Sequence, residues 1–146
     1  MAIAYVNRVE GKNATGTSVA TSAGNHTTGN LIVGYLIKQV TSTPTITDTA
    51  GNTYTIGTVK TTGANSIWIF YAYNCIGNAS NVVTASWTTG STFNIIAVRQ
   101  FSGVVTASDP LDDSDSANGS STTIATPSLT LSVTEGVIFA GMEADQ

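Results

Sequence analysis

Apolar positions along this chain recur mostly with a period of two, in short runs broken by Gly and Asn. The strongest run, residues 66–74, reads Ser-Ile-Trp-Ile-Phe-Tyr-Ala-Tyr-Asn. Its alternating sets are Ile67, Ile69, Tyr71, Tyr73 and Trp68, Phe70, Ala72. Both sets are apolar or aromatic, which predicts a central strand covered on its two faces. β-Branched and aromatic side chains suit a packed pleated surface, and turn signals close in on both sides before a helix could form. Residues 31–38 repeat the pattern, with Leu31, Val33, Tyr35 and Ile37 on one parity and Ile32 and Leu36 on the other. Val83, Ala85 and Trp87 alternate with Thr84, Ser86 and Thr88, which predicts a strand with one dry and one wet face.

Weaker signals fill the intervals. Residues 3–9 make a first strand, turned by 11–15, and 17–22 a largely polar strand suited to an edge. A loop over 23–30 follows; after the strand at 31–38 an all-polar connector carries Pro44, and residues 45–48 lead to a turn candidate at Ala50-Gly51-Asn52, with alternation at 53–56 beyond it. Residues 77–80 turn, and 89–91 connect into a strand at 93–101. Residues 104–120 are irregular and acidic, 122–133 hold one or two weak strands around Pro127, and 136–142 form a last apolar strand. No segment keeps an apolar stripe of period 3.6 over three turns, and no sequence repeat at a fixed period is seen. The expectation is a single all-β domain over 1–146: an antiparallel β-sandwich, jelly-roll or Ig-like.

Composition narrows the surface. Charged residues make up only 10% of the chain, so solvent is met mainly by hydroxyls and amides. Net charge is −4, and the five cations Arg8, Lys12, Lys38, Lys60 and Arg99 are scattered. A chain without a basic stripe has no electrostatic footprint for nucleic acid. No apolar run approaches membrane-spanning length, and Met1–Val6 lacks the basic-then-apolar pattern of a signal peptide. Either a leader has been removed or the chain needs no export. Cys75 is alone, which excludes an intrachain disulfide and a cysteine metal cluster.

The candidate chemistry is sparse. His26, the only histidine, sits in the predicted loop and is expected to be solvated rather than catalytic. Cys75 has no His or Lys beside it in sequence to activate it, and reads as a small buried apolar residue. In the acidic stretch 109–119, Asp113, Asp115 and Asn118 could offer oxygens to calcium. An EF-hand is excluded, since its fifth, sixth and twelfth positions would be Ala117, Asn118 and Ile124, and a solvated acidic loop is the default. Asp48 with this cluster could supply paired carboxylates, yet no spacing singles out an acid of raised pKa. Trp68, Trp87, Tyr35, Tyr71 and Tyr73 could stack on sugars, but their apolar neighbours favour core packing. Sequons at Asn13, Asn25, Asn78 and Asn118 are expected by chance in so Asn- and Thr-rich a chain. No catalytic residue, cofactor or resident metal is predicted.

Seven stretches occur in a telling order: Gly29-Asn-Leu-Ile-Val-Gly, Thr47-Asp-Thr-Ala-Gly-Asn-Thr-Tyr-Thr, Ile69-Phe-Tyr-Ala-Tyr-Asn, Asn81-Val-Val-Thr-Ala-Ser-Trp, Ala97-Val-Arg-Gln-Phe-Ser-Gly, Asp109-Pro-Leu-Asp-Asp-Ser and Glu135-Gly-Val-Ile-Phe-Ala-Gly. The succession resembles a family of β-sandwich modules of bacterial surface or secreted proteins and of bacteriophage structural proteins. The resemblance spans nearly the whole chain, rests on strands and turns, and carries over no functional residue. It implies a non-enzymatic module: a virion structural protein of capsid-decoration or fibre type on the virion surface, or a carbohydrate-binding or adhesive accessory module at the cell surface or outside the cell. A start at Met1 without a leader fits the virion alternative. The family pattern continues past 136–142, so completion by strand exchange with a neighbour, and hence a homo-oligomer, is expected. Other capsid proteins and a cell-surface glycan are the further partners implied. Contact candidates are residues 2–9, 23–30 and 104–120.

Overall fold

The computed structural model describes residues 2–63, 65–119, 125 and 127–142. Among these the chain is all-β. Its strands are β1 (Ala4–Asn13), β2 (Gly16–Ala20), β3 (Gly24–His26), β4 (Leu31–Lys38), β5 (Thr45–Asp48), β6 (Thr55–Thr62), β7 (Asn65–Ala72), β8 (Asn78–Asn81), β9 (Val83–Ser91) and β10 (Asn94–Ser102).

Two sheets take shape from these strands. One has the order β1-β10-β4-β7-β6 and the other β2-β9-β5, with every pairing antiparallel. The short β3–β8 ladder continues the β2–β9 pairing, linked by the Thr21 N–H donating to the Val83 carbonyl. The chain crosses between the sheets after β1, β3, β4, β5, β7 and β9, and that alternation is the arrangement of a jelly-roll sandwich.

The two apolar parities of β7 go where a doubly covered strand requires. Trp68 and Phe70 face the second sheet, packed with Ile32, Leu36, Ile96 and Val98 against Val83, Ala85 and Trp87. Ile69 and Tyr71 face outward with Leu31, Val33 and Phe101, under Val104 and Phe139. Each large side chain so buried contributes about 1.5–3 kcal/mol. Gly34 lies opposite Phe70 in the β4–β7 register, and a Cβ there would come within 2.5 Å of the Phe70 ring. The missing side chain at Gly34 is thus what leaves room for the Phe70 ring beside its neighbour strand.

Several local expectations are corrected. Gly11 does not turn the chain. β1 runs on to Asn13, and Gly11 lets β2 cross closely, since a Cβ would sit 1.7 Å from the Ala20 carbonyl oxygen. Residues 23–30 and 77–80, expected as loop and turn, contain β3 and β8, because their Asn and His side chains pair inward. Residues 89–91 are the end of β9 rather than a connection. Residues 136–142 form no strand. They lie irregularly on the outer face, Phe139 against Tyr35 and Gly141 beside Ile67 and Ile69. Of the strands expected over 122–133, residues 122–124 and 126 lie outside the described residues, and 127–133 are irregular.

Candidate functional site

Three places gather polar or unfilled chemistry. One is a cleft of about 810 Å³ on the outer face of the five-stranded sheet, roofed by residues within 104–115 and 129–139. Its floor is Leu31, Val33, Ile69 and Tyr71, and Leu131, Val133 and Phe139 are among the apolar residues of its roof. Cavities of this size and apolar character are where small ligands or partner side chains bind. One polar handle crosses it: the Tyr71 hydroxyl donates to both Asp109 carboxylate oxygens, at 3.0 and 2.9 Å. Burial, then the Asp109 carboxylate, pushes the Tyr71 phenol up to about 12.

The roof is held by side chains. Among the described residues, no backbone–backbone hydrogen bond ties 104–142 to either sheet. Instead Thr106 Oγ1 donates to the Gly29 carbonyl at 3.3 Å. Within the roof itself, Asp113 accepts from the Thr130 N–H at 2.7 Å, and Asp112 from the Ser132 N–H at 2.7 Å and the Ser132 hydroxyl. These hydrogen bonds hold the Asp112 carboxyl below its usual range. The calcium candidates are therefore divided in use: Asp113 fastens the roof, while Asp115 accepts from its neighbour Ser116 and Asn118 is exposed with a bonded partner. Among the described residues, no three His, Cys, Asp or Glu side chains come together as a metal site.

The second place is a buried polar network at one end of the sandwich, centred on Asn81. Asn81 Nδ2 lies 2.8 Å from His26 Nδ1 and donates to Asp48 Oδ2 at 2.8 Å, while Asn81 Oδ1 accepts from Thr49 and Ala50. Asp48 also accepts from the Asn52 amide and the Tyr54 hydroxyl. Burial works to raise the Asp48 pKa, but the bonds from Asn52, Asn81 and Tyr54 outweigh it and hold the carboxyl below its usual range. His26 is a correction: it is only 2% exposed, with burial lowering its pKa against the opposing Asp48 charge. Since Nδ1 accepts from Asn81, the proton sits on Nε2, which is buried without a hydrogen-bond partner among the described residues. Cys75 is buried as expected, its thiol facing the Thr27 carbonyl at 3.1 Å and pushed up by burial. Asn81 went unnoticed in the sequence because a lone asparagine before a strand carries no pattern.

The third place is at the opposite end. Lys38 is completely buried, donating to the Val40 and Ser42 carbonyls at 2.5 and 2.6 Å. Its Nζ lies 5.5 Å from the Trp68 ring centroid and 5.6 Å from that of Trp87. Burial lowers its pKa to about 8. Trp68 and Trp87 are each 7% exposed and form no surface platform, whereas Tyr73 at 37% is open.

The fold and these places define an all-β antiparallel sandwich whose ionisable core groups face inward. No family model, curated protein or solved structure matches the chain.

Proposed function

We propose that this chain is a non-enzymatic bacteriophage virion structural protein of capsid-decoration or fibre type. It binds neighbouring shell subunits through the edges and loops of the sandwich. One observation carries the proposal. His26, Lys38, Cys75 and Asp48 are turned inward onto protein partners, while large apolar side chains are exposed on β1 and along 104–142. Tyr5 is 56% exposed, Val105 74% and Ile138 69%. Val105 and Ile138 line one cleft with Leu111, Leu131 and Val133, and contiguous apolar exposure of that kind marks surfaces that are covered in an assembly. The resemblance of its sequence stretches to a family that includes bacteriophage structural proteins agrees with it.

The test is fractionation of a phage lysate on a density gradient, with the chain followed by mass spectrometry. It should sediment with the particles and stay with them after washing; recovery only from the soluble fraction would sink the proposal. The alternative, a glycan-binding accessory module, lacks a flat face at Trp68 or Trp87. A glycan-array signal lost on Trp68→Ala, in protein that stays folded, would favour that alternative instead.

A further inference from the structure

The outer face of the five-stranded sheet carries its charges unevenly, with cations gathered on β1 and β10, acidic side chains over β4 and β7, and the single cation Lys60 on β6 at the far edge, opposite Ile67. Val9 and Val98 point into the core, so Arg8, Glu10, Lys12 and Arg99 project from the outer face. Arg99 is satisfied by Glu10 at 2.9 Å, which leaves Arg8 and Lys12 exposed with no ion pair among the described residues. Across β4 and β7 the same face is covered by residues within 104–115 and 129–141, which carry Asp109, Asp112, Asp113, Asp115 and Glu135. Asp115 and Glu135 are exposed and form no ion pair among the described residues. Between the two halves lies an apolar centre. Tyr5 stacks edge-on against Phe101, and Ile3 lines the cleft beside Gly103 and Val105.

We propose that this face is a self-association surface that takes a second copy of this chain about a two-fold axis. An isologous interface requires a patch complementary to itself, each residue i of one copy meeting j of the other and the reverse. A cationic half, an apolar seam and an anionic half side by side meet that requirement. Rotation about the seam sets Arg8 and Lys12 of one copy over the acidic roof of the other, and stacks the exposed Tyr5 and Val105 regions. The occupant is a copy of this chain rather than an unrelated protein because both charge halves and the seam lie on one continuous face.

The self-association rests on the reading of the chain as an assembly module, but the two fail separately. Analytical ultracentrifugation of the purified chain should give a monomer–dimer equilibrium that weakens with added salt. Arg8→Glu/Lys12→Glu should weaken it about tenfold or more, and so should Asp115→Lys/Glu135→Lys. All four side chains are exposed, so far-UV circular dichroism should be unchanged. The deciding experiment mixes the two variants. Opposite reversals restore both sets of contacts across a two-fold, so a heterodimer should form as tightly as the original dimer. Monomer at every concentration, a salt-insensitive dimer, or a mixture that stays dissociated would overturn this surface. None of these results bears on whether the chain sediments with particles.

Discussion

At Gly34 a missing methylene decides how the core closes. The position is in the middle of a central strand, where glycine ordinarily weakens pairing. It is tolerated because the Phe70 ring occupies the space, with the Ala97 carbonyl 2.7 Å from where a Cβ would stand. Gly34→Ala should therefore destabilise despite its better strand propensity, by about 1–3 kcal/mol. Urea denaturation reads it directly, and an unchanged midpoint would show that Phe70 can move aside. Single residues also explain the surprises elsewhere. Gly11 read as a turn and serves a strand crossing, and His26 read as solvated because residues 23–30 look like a loop. In both cases the deciding neighbour, Ala20 or Asn81, contacts the residue through folding rather than through any spacing visible beforehand.

Among elements, β4 and β7 were plain in the sequence because both parities are apolar, and their predicted bounds, 31–38 and 66–74, nearly match the strands. The edge position of β2 was legible from its polar content. Residues 104–142 are the opposite case. Alternation of Leu129, Leu131 and Val133 with Thr130 and Ser132 has the period of a strand, yet a strand needs a backbone partner and none of the described sheet edges supplies one. Asp109 is the carboxylate that ties the segment to the sheet, so the attachment should weaken where that contact is lost. Asp109→Asn should weaken its hold on Tyr71 and raise the rate of limited proteolysis within 104–142, leaving β1–β10 protected. Equal cleavage rates in the variant and the original chain would mean that Phe139 and its apolar neighbours hold the segment alone.

For the whole molecule, stability should depend on pH through the groups buried at the two ends. Lys38 has a folded pKa of about 8 against an ordinary 10.5. The unfolded chain therefore binds more protons between those values, so stability rises as pH climbs through them and is lost on the way back down. His26 follows the same sign at lower pH: its folded pKa is depressed, so its contribution is full above about 6.5 and falls away below. Denaturation of the original chain and of Lys38→Met at pH 7 and at successive steps to pH 10 isolates the first effect. The difference between them should shift in favour of the original chain above pH 8, and a constant difference would mean the ammonium is not desolvated by folding.

What the sequence determined by itself is the class of the molecule. Strand period, doubly apolar runs and a lack of helical stripes are local properties of the backbone and its side chains, and they leave an antiparallel sandwich as the solution. The tertiary structure alone decided which reactive groups face inward, and it put a cationic and an anionic half on one face. Those outcomes depend on contacts between residues far apart in the chain, such as His26 with Asn81 and Tyr71 with Asp109, and a linear pattern carries no record of such distances.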